Sequence, residues 1–144
     1  MIGVLALIAV LALLLLAIGI VTAGTAFRYL RAPVPTRLPR DLPVPAQPPR
    51  PLNDVATWFG PDDYPAQAIR RNEEGRVRVA LLINADGRPS ACEVMESSHH
   101  RLLDRATCRA AVRHARYAPA RDRSGAAIPA RVDLSAVRWR LPSE

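Results

Sequence analysis

The sequence predicts an α+β protein in three parts: an N-terminal transmembrane helix, a proline-rich linker, and a small domain. In that domain a three-stranded antiparallel sheet carries two helices. Three observations predict this. Met1 to Phe27 contains no charged side chain, and eight prolines fall between Pro33 and Pro51. After them Val77, Val79, Leu81 and Ile83 alternate with Arg76, Arg78 and Ala80, the pattern of a strand with one buried face. The parts divide as 1–30 anchor, 31–53 linker and 54–144 folded domain.

A helix over Met1 to Phe27 would measure about 40 Å, more than the ~30 Å hydrocarbon thickness of a bilayer. A signal-peptide core is shorter and follows a basic leader, so the segment reads as an uncleaved anchor. Arg28, Tyr29 and Arg31 would sit at the membrane interface. The prolines that follow exclude a helix or a central strand and favour polyproline II, a stiff spacer. From Arg31 to Asp54 its reach would be roughly 70 Å.

Trp58-Phe59-Gly60-Pro61 marks the start of the folded part. Asp62 or Asp63 would cap a short helix beginning near Pro65 and ended by Gly75. The alternating strand comes next. Asp86-Gly87 supplies a turn, because glycine accepts positive φ, and Ser90 to Glu96 completes a hairpin. Ser97 or Ser98 would cap a second helix from about His100 to Arg116. Leu102, Leu103, Ala106, Ala110 and Ala111 give it an apolar face of mostly small residues, suited to close packing on a sheet. Arg121 to Gly125 is a polar turn. The last strand runs from Ile128 to Leu141, with Val132 and Leu134 in one phase and Val137, Trp139 and Leu141 in the other. That change of phase predicts a bulge near Ser135-Ala136.

The net charge is +7, and every one of the 20 basic residues is arginine. The arginines are scattered and lack aromatic interleaving, which argues against nucleic acid as a partner. No constellation suggests an enzyme. Ser97-Ser98 has no partnered base, and Glu93 and Glu96 point to opposite strand faces. His99, His100 and His114 lack metal-ligand spacing, so neither metal nor cofactor is expected.

Asp63-Tyr64-Pro65, Gly75-Arg76-Val77, Ala85-Asp86-Gly87-Arg88, Leu103-Asp104 and Arg116-Tyr117-Ala118-Pro119 together resemble the C-terminal domain of the TonB family. The resemblance covers about residues 62–141. It implies a periplasmic energy transducer, anchored in the inner membrane beside an ExbB–ExbD-type proton channel. Its C-terminal domain would grip a segment of an outer-membrane TonB-dependent receptor by strand addition to the last strand. On this chain that strand is Val132, Asp133, Leu134, Ser135, Ala136, Val137, Arg138 and Trp139. An uncovered terminal strand would equally allow pairing with a second copy, as a homodimer.

The chain departs from the family pattern in three places. Met1 to Phe27 holds neither the serine nor the histidine through which such helices couple to the channel. Pro61-Asp62 stands where the family has Gln-Pro, and the spacer is short. An anchored envelope scaffold without proton coupling is therefore the alternative. The four arginines after the span, Arg28, Arg31, Arg37 and Arg40, taken alone favour a cytoplasmic domain. A basic leader encoded upstream would reconcile them with export.

Cys92 and Cys108 would be buried thiols in a reducing cytosol. In the periplasm, an even count in a small domain favours a disulfide. Packing of the second helix on the second strand would bring the pair within bonding reach.

Overall fold

The computed structural model describes residues 37–141; the expected membrane anchor and the start of the proline tract lie outside them. The fold is α+β. At its centre is β2 (Gly75–Ile83), the longest strand, with Val77, Val79, Leu81 and Ile83 all buried. It turns at Asn84 to Gly87, where the Asn84 amide donates to the Arg88 carbonyl at 2.9 Å and the Gly87 amide to the Asn84 carbonyl at 2.9 Å. Gly87 has φ +80°, and a Cβ there would collide with the Tyr117 carbonyl, so a side chain is excluded twice over. β3 (Pro89–Glu96) returns antiparallel, with Cys92 opposite Leu81.

The other side of β2 is covered by two strands. β7 (Ala130–Asp133) pairs with its second half, setting Val132 against Leu81. β8 (Val137–Trp139) pairs with its first half, setting Val137 against Val77 and Trp139 against Gly75. Leu134 still bonds to Val79, its amide donating at 2.9 Å. One residue of β2, Arg78, therefore separates the partners of Leu134 and Val137, whereas Ser135 and Ala136 both separate those two. The extra residue is a bulge. It restores the phase, so that Val132, Leu134, Val137 and Trp139 all lie against the core.

The expected single third strand is thus two, and the sheets hold more strands than three. The additional ones are short. β4 (Tyr117–Ala118) pairs with β1 (Arg50–Pro51), and β5 (Ala120–Arg121) pairs with β6 (Ala127–Ile128) around the expected polar turn. Asp122 holds that turn by accepting from the Ser124 and Ala126 amides at 2.8 and 3.0 Å.

Two helices cover one face of the sheet. The short α1 (Ala66–Arg70) ends well before Gly75, at Arg71 and Asn72, whose φ is +52°. Neither Asp62 nor Asp63 caps it: Asp63 instead accepts from the Gly60 amide at 3.2 Å, closing a 3-10 turn over Pro61–Asp63. Pro65, with no N–H to satisfy, stands at the α1 N-cap. The longer α2 (Arg101–His114) buries Leu103, Ala106, Thr107, Ala110 and Ala111, a stripe at helical spacing whose small residues let the helix approach closely.

Neither Ser97 nor Ser98 caps α2: the N-cap is His100, which makes no side-chain cap bond, and both serines are engaged instead by Asp104 in the first turn. The Asp104 carboxylate accepts from the Ser98 amide at 2.9 Å, the Ser98 hydroxyl at 2.8 Å and the Ser97 hydroxyl at 2.6 Å. Cys92 and Cys108 are joined in a disulfide across β3 and α2, their Cα atoms 5.6 Å apart.

The proline-rich stretch from Arg37 is laid on this domain as a strap. Leu38 is buried on the helix-free face of the sheet against Ala80, Leu82 and Ala91. Further on, the Ala46 and Gln47 amides donate to the Arg121 carbonyl at 2.8 and 3.0 Å, and the Arg121 amide to the Gln47 carbonyl at 2.9 Å. The Leu52 amide donates to the Arg116 carbonyl at 2.7 Å. Asn53 then closes the end of α2: its side chain donates to the His114 carbonyl at 2.8 Å and accepts from the Arg116 amide at 3.1 Å.

Candidate functional site: an open sheet edge

Among the described residues, β7 and β8 pair only with β2, so their outer side is open from Ala130 to Trp139. The register decides which main-chain groups face outward. Leu134 and Val79 form a hydrogen-bonded pair, so by the alternation of antiparallel ladders Val132 and Leu81 do as well. Asp133 and Arg131, between and beyond them, turn their N–H and C=O groups away from β2. By the same alternation along β2, Arg138 does so in β8. Unpaired strand groups of this kind are a template for another extended segment.

The edge is held from beneath. Trp139 is buried, its Nε1–H donating to the Thr107 hydroxyl at 2.9 Å, and that hydroxyl donates in turn to the Leu103 carbonyl at 2.9 Å. The Tyr64 ring meets the Trp139 ring edge-on, with centroids 5.1 Å apart. Its hydroxyl donates to the Glu73 carbonyl at 2.6 Å. Burial first, and then the charges of Glu74 and Glu73, push the Tyr64 hydroxyl above its ordinary value. Beyond β8, the Leu141 amide donates to the Glu74 carboxylate at 2.7 Å. On the helix-free face Arg131 bridges Asp133 at 2.9 Å and Glu93 at 3.4 Å. Arg138 and Arg140 are exposed flanks.

Two shallow concavities run along the helix side of this edge and share Phe59 and Val137. The smaller, about 260 Å³, lies among Phe59, Pro61, Tyr64 and Trp139. The larger, about 380 Å³, has Val132, Leu134 and Val137 on one side and Pro49, Pro51 and Val55 on the other. Tyr117 also lines it. That ring is buried edge-on to Trp58 at 5.7 Å, and burial pushes its hydroxyl up to about 12.

The eight residues Val132 to Trp139 thus form one continuous edge, and Cys92 and Cys108 lie together behind it. The histidines do not gather: His114 faces Asp63 at 3.5 Å, and His100 faces Glu73 at 3.9 Å. Sequence reasoning missed Phe59, Pro49 and Pro51 as groove residues and Asn53 as the strap's tie. For the strap, a signal was there in Leu38, an isolated leucine among prolines that finds a buried seat. Nothing in the sequence marks Asn53 as the partner of a helix end sixty-one residues away.

Residues 61–141 match the model of the family described as Gram-negative bacterial TonB protein C-terminal. Among curated proteins, none matches the chain.

Proposed function

Because the chain belongs to the TonB C-terminal family, we propose that it is an energy transducer anchored in the inner membrane with its domain in the periplasm. There it binds outer-membrane TonB-dependent receptors by strand addition at β7–β8 to drive nutrient uptake. The observation that carries the reading is the open edge: outward-facing main-chain groups at Arg131, Asp133 and Arg138 on strands with no other partner among the described residues. Such a surface binds through backbone pairing and needs no catalytic side chain. The disulfide accords with an oxidising compartment.

The test is to add a synthetic peptide copying the periplasm-facing segment of a TonB-dependent receptor plug to isotope-labelled protein and follow its amide signals. Shifts at Val132 through Leu141 are expected, together with shifts at residues that line the groove along that edge. Shifts that spare Val132 through Leu141, or none, refute the reading. Membrane-impermeant maleimide applied to intact spheroplasts checks the compartment: Cys92 and Cys108 should label only after an external reductant. Labelling that requires lysis but no reductant would place the domain in the cytoplasm.

The lack of serine and histidine in Met1 to Phe27 favours a second reading, an envelope scaffold that uses the same edge without coupling to an ExbB–ExbD-type channel. Cross-linking within the membrane separates the two. A proton-channel partner supports transduction, and its absence leaves the scaffold.

A further inference from the structure

We propose that the proline-rich strap is part of the binding surface. Pro49 and Pro51 form the wall of a groove that accepts an apolar side chain of the segment added at β7–β8, and so they select which segments bind. This rests on the strand-addition reading given above.

The groove and the open edge are one continuous surface, since Val132 to Val137 supply both. Its occupant is therefore polypeptide rather than a small molecule, because the outward N–H and C=O of Asp133 call for a main-chain partner. A strand laid there points alternate side chains to the helix side of the sheet, where Phe59 and the strap stand. Pro49 and Pro51 are two apart on extended chain, which puts both on one face while Arg50 takes the other.

The wall is also fixed in place. Paired main chain at Gln47 and Arg121 holds it on one side, and the Leu52 and Asn53 hydrogen bonds hold it on the other. Prolines so held have little freedom left to lose when a ligand arrives. The chemistry accepted follows from the lining. Pro49, Pro51, Val55, Leu134 and Val137 are apolar and the one charged residue of the lining, Asp133, repels a carboxylate, so an acidic side chain would be desolvated without compensation.

The test uses the full chain in detergent micelles and a panel of synthetic receptor-plug peptides, identical except at one position at a time. That position carries alanine, leucine, phenylalanine or aspartate. At one position leucine should bind about tenfold tighter than aspartate. Replacing both wall prolines, Pro49→Gln with Pro51→Gln, should reduce that preference to about twofold and weaken the leucine peptide more than the alanine peptide. Asp133→Pro, which blocks the edge, should weaken every peptide.

Four results would overturn the inference. Retention of the leucine preference in the double variant removes the wall's role while strand addition stands. Equal weakening of all peptides by the double variant shows that the strap only braces the fold. Self-association of the chain that disappears in Asp133→Pro, with no peptide bound, shows that a second copy occupies the surface. Binding of no peptide, without self-association, overturns both this inference and strand addition.

Discussion

Replacing Thr107 by valine keeps the shape of the side chain and removes one oxygen, which leaves the Trp139 Nε1–H without its acceptor. Donor and acceptor are 2.9 Å apart, with Thr107 fully buried and Trp139 5% exposed, so water cannot readily take the place of the hydroxyl. A buried donor stranded in this way costs about 1–3 kcal/mol. In a domain of this size a loss near the middle of that range lowers the melting temperature by roughly 10 °C. The hydroxyl's other bond, to the Leu103 carbonyl, contributes less, because that carbonyl can still accept within the helix.

Urea denaturation followed by near-ultraviolet circular dichroism of the tryptophans reads the change directly. A double-mutant cycle isolates the pair. In the Trp139→Phe background, where no indole donor remains, Thr107→Val should cost about 1 kcal/mol less than in the parent. Because the pair ties β8 to α2, the Val137 and Arg138 amides should also exchange faster in Thr107→Val. A loss below about 0.5 kcal/mol, or the same loss in both backgrounds, would refute the role given to this pair.

Opening the Cys92–Cys108 disulfide, which closes a loop of 16 residues' separation, should lower stability by about 3 kcal/mol. Denaturation with and without reductant measures this, and coincident curves would contradict it. Folded Tyr117 holds its proton to about 12, against 10.0 when exposed. Its stabilisation is therefore complete below pH 10 and is lost as pH rises toward 12. Tyr117→Phe should flatten that alkaline decline in denaturation midpoint, and an unchanged decline would assign it to other groups. Leu38→Ala empties a buried seat under the sheet and should cost about 1–3 kcal/mol. A midpoint equal to the parent's would mean that the strap is not anchored there.

Much of the domain is legible because its signals are local. Period-two apolar residues locate β2, and an Asp-Gly pair locates its turn. The phase change between Leu134 and Val137 locates a bulge, since a strand buried on one face cannot otherwise keep both residues inside. The cysteine pair is legible once helix and strand are assumed to pack.

What escaped the reading depends on distant partners. Ser97 and Ser98 do not cap α2 because Asp104, six or seven residues on, engages both hydroxyls, a pairing that the cap sequence itself does not show. Helix α1 stops early where the chain turns through positive φ at Asn72, which no glycine or proline announces. The proline stretch reads as a free spacer by composition. Yet Leu38, Gln47 and Arg50–Leu52 find partners 42 or more residues away, at Ala80 and beyond. The two halves of the groove come together only when strap and edge are both in place.

The most direct test of strand addition compares Asp133→Pro with Asp133→Ala in titrations of the full chain with the receptor-plug peptide. The Asp133 N–H points away from β2, so proline removes an outward donor and obstructs the added strand while leaving the Leu134–Val79 bond in place. Alanine removes the carboxylate and its contact with Arg131 but keeps the N–H. Proline should weaken binding about tenfold or more, the equivalent of one or two main-chain hydrogen bonds, and alanine by no more than about threefold. Equal affinities for the two variants would mean that the partner does not add to this edge.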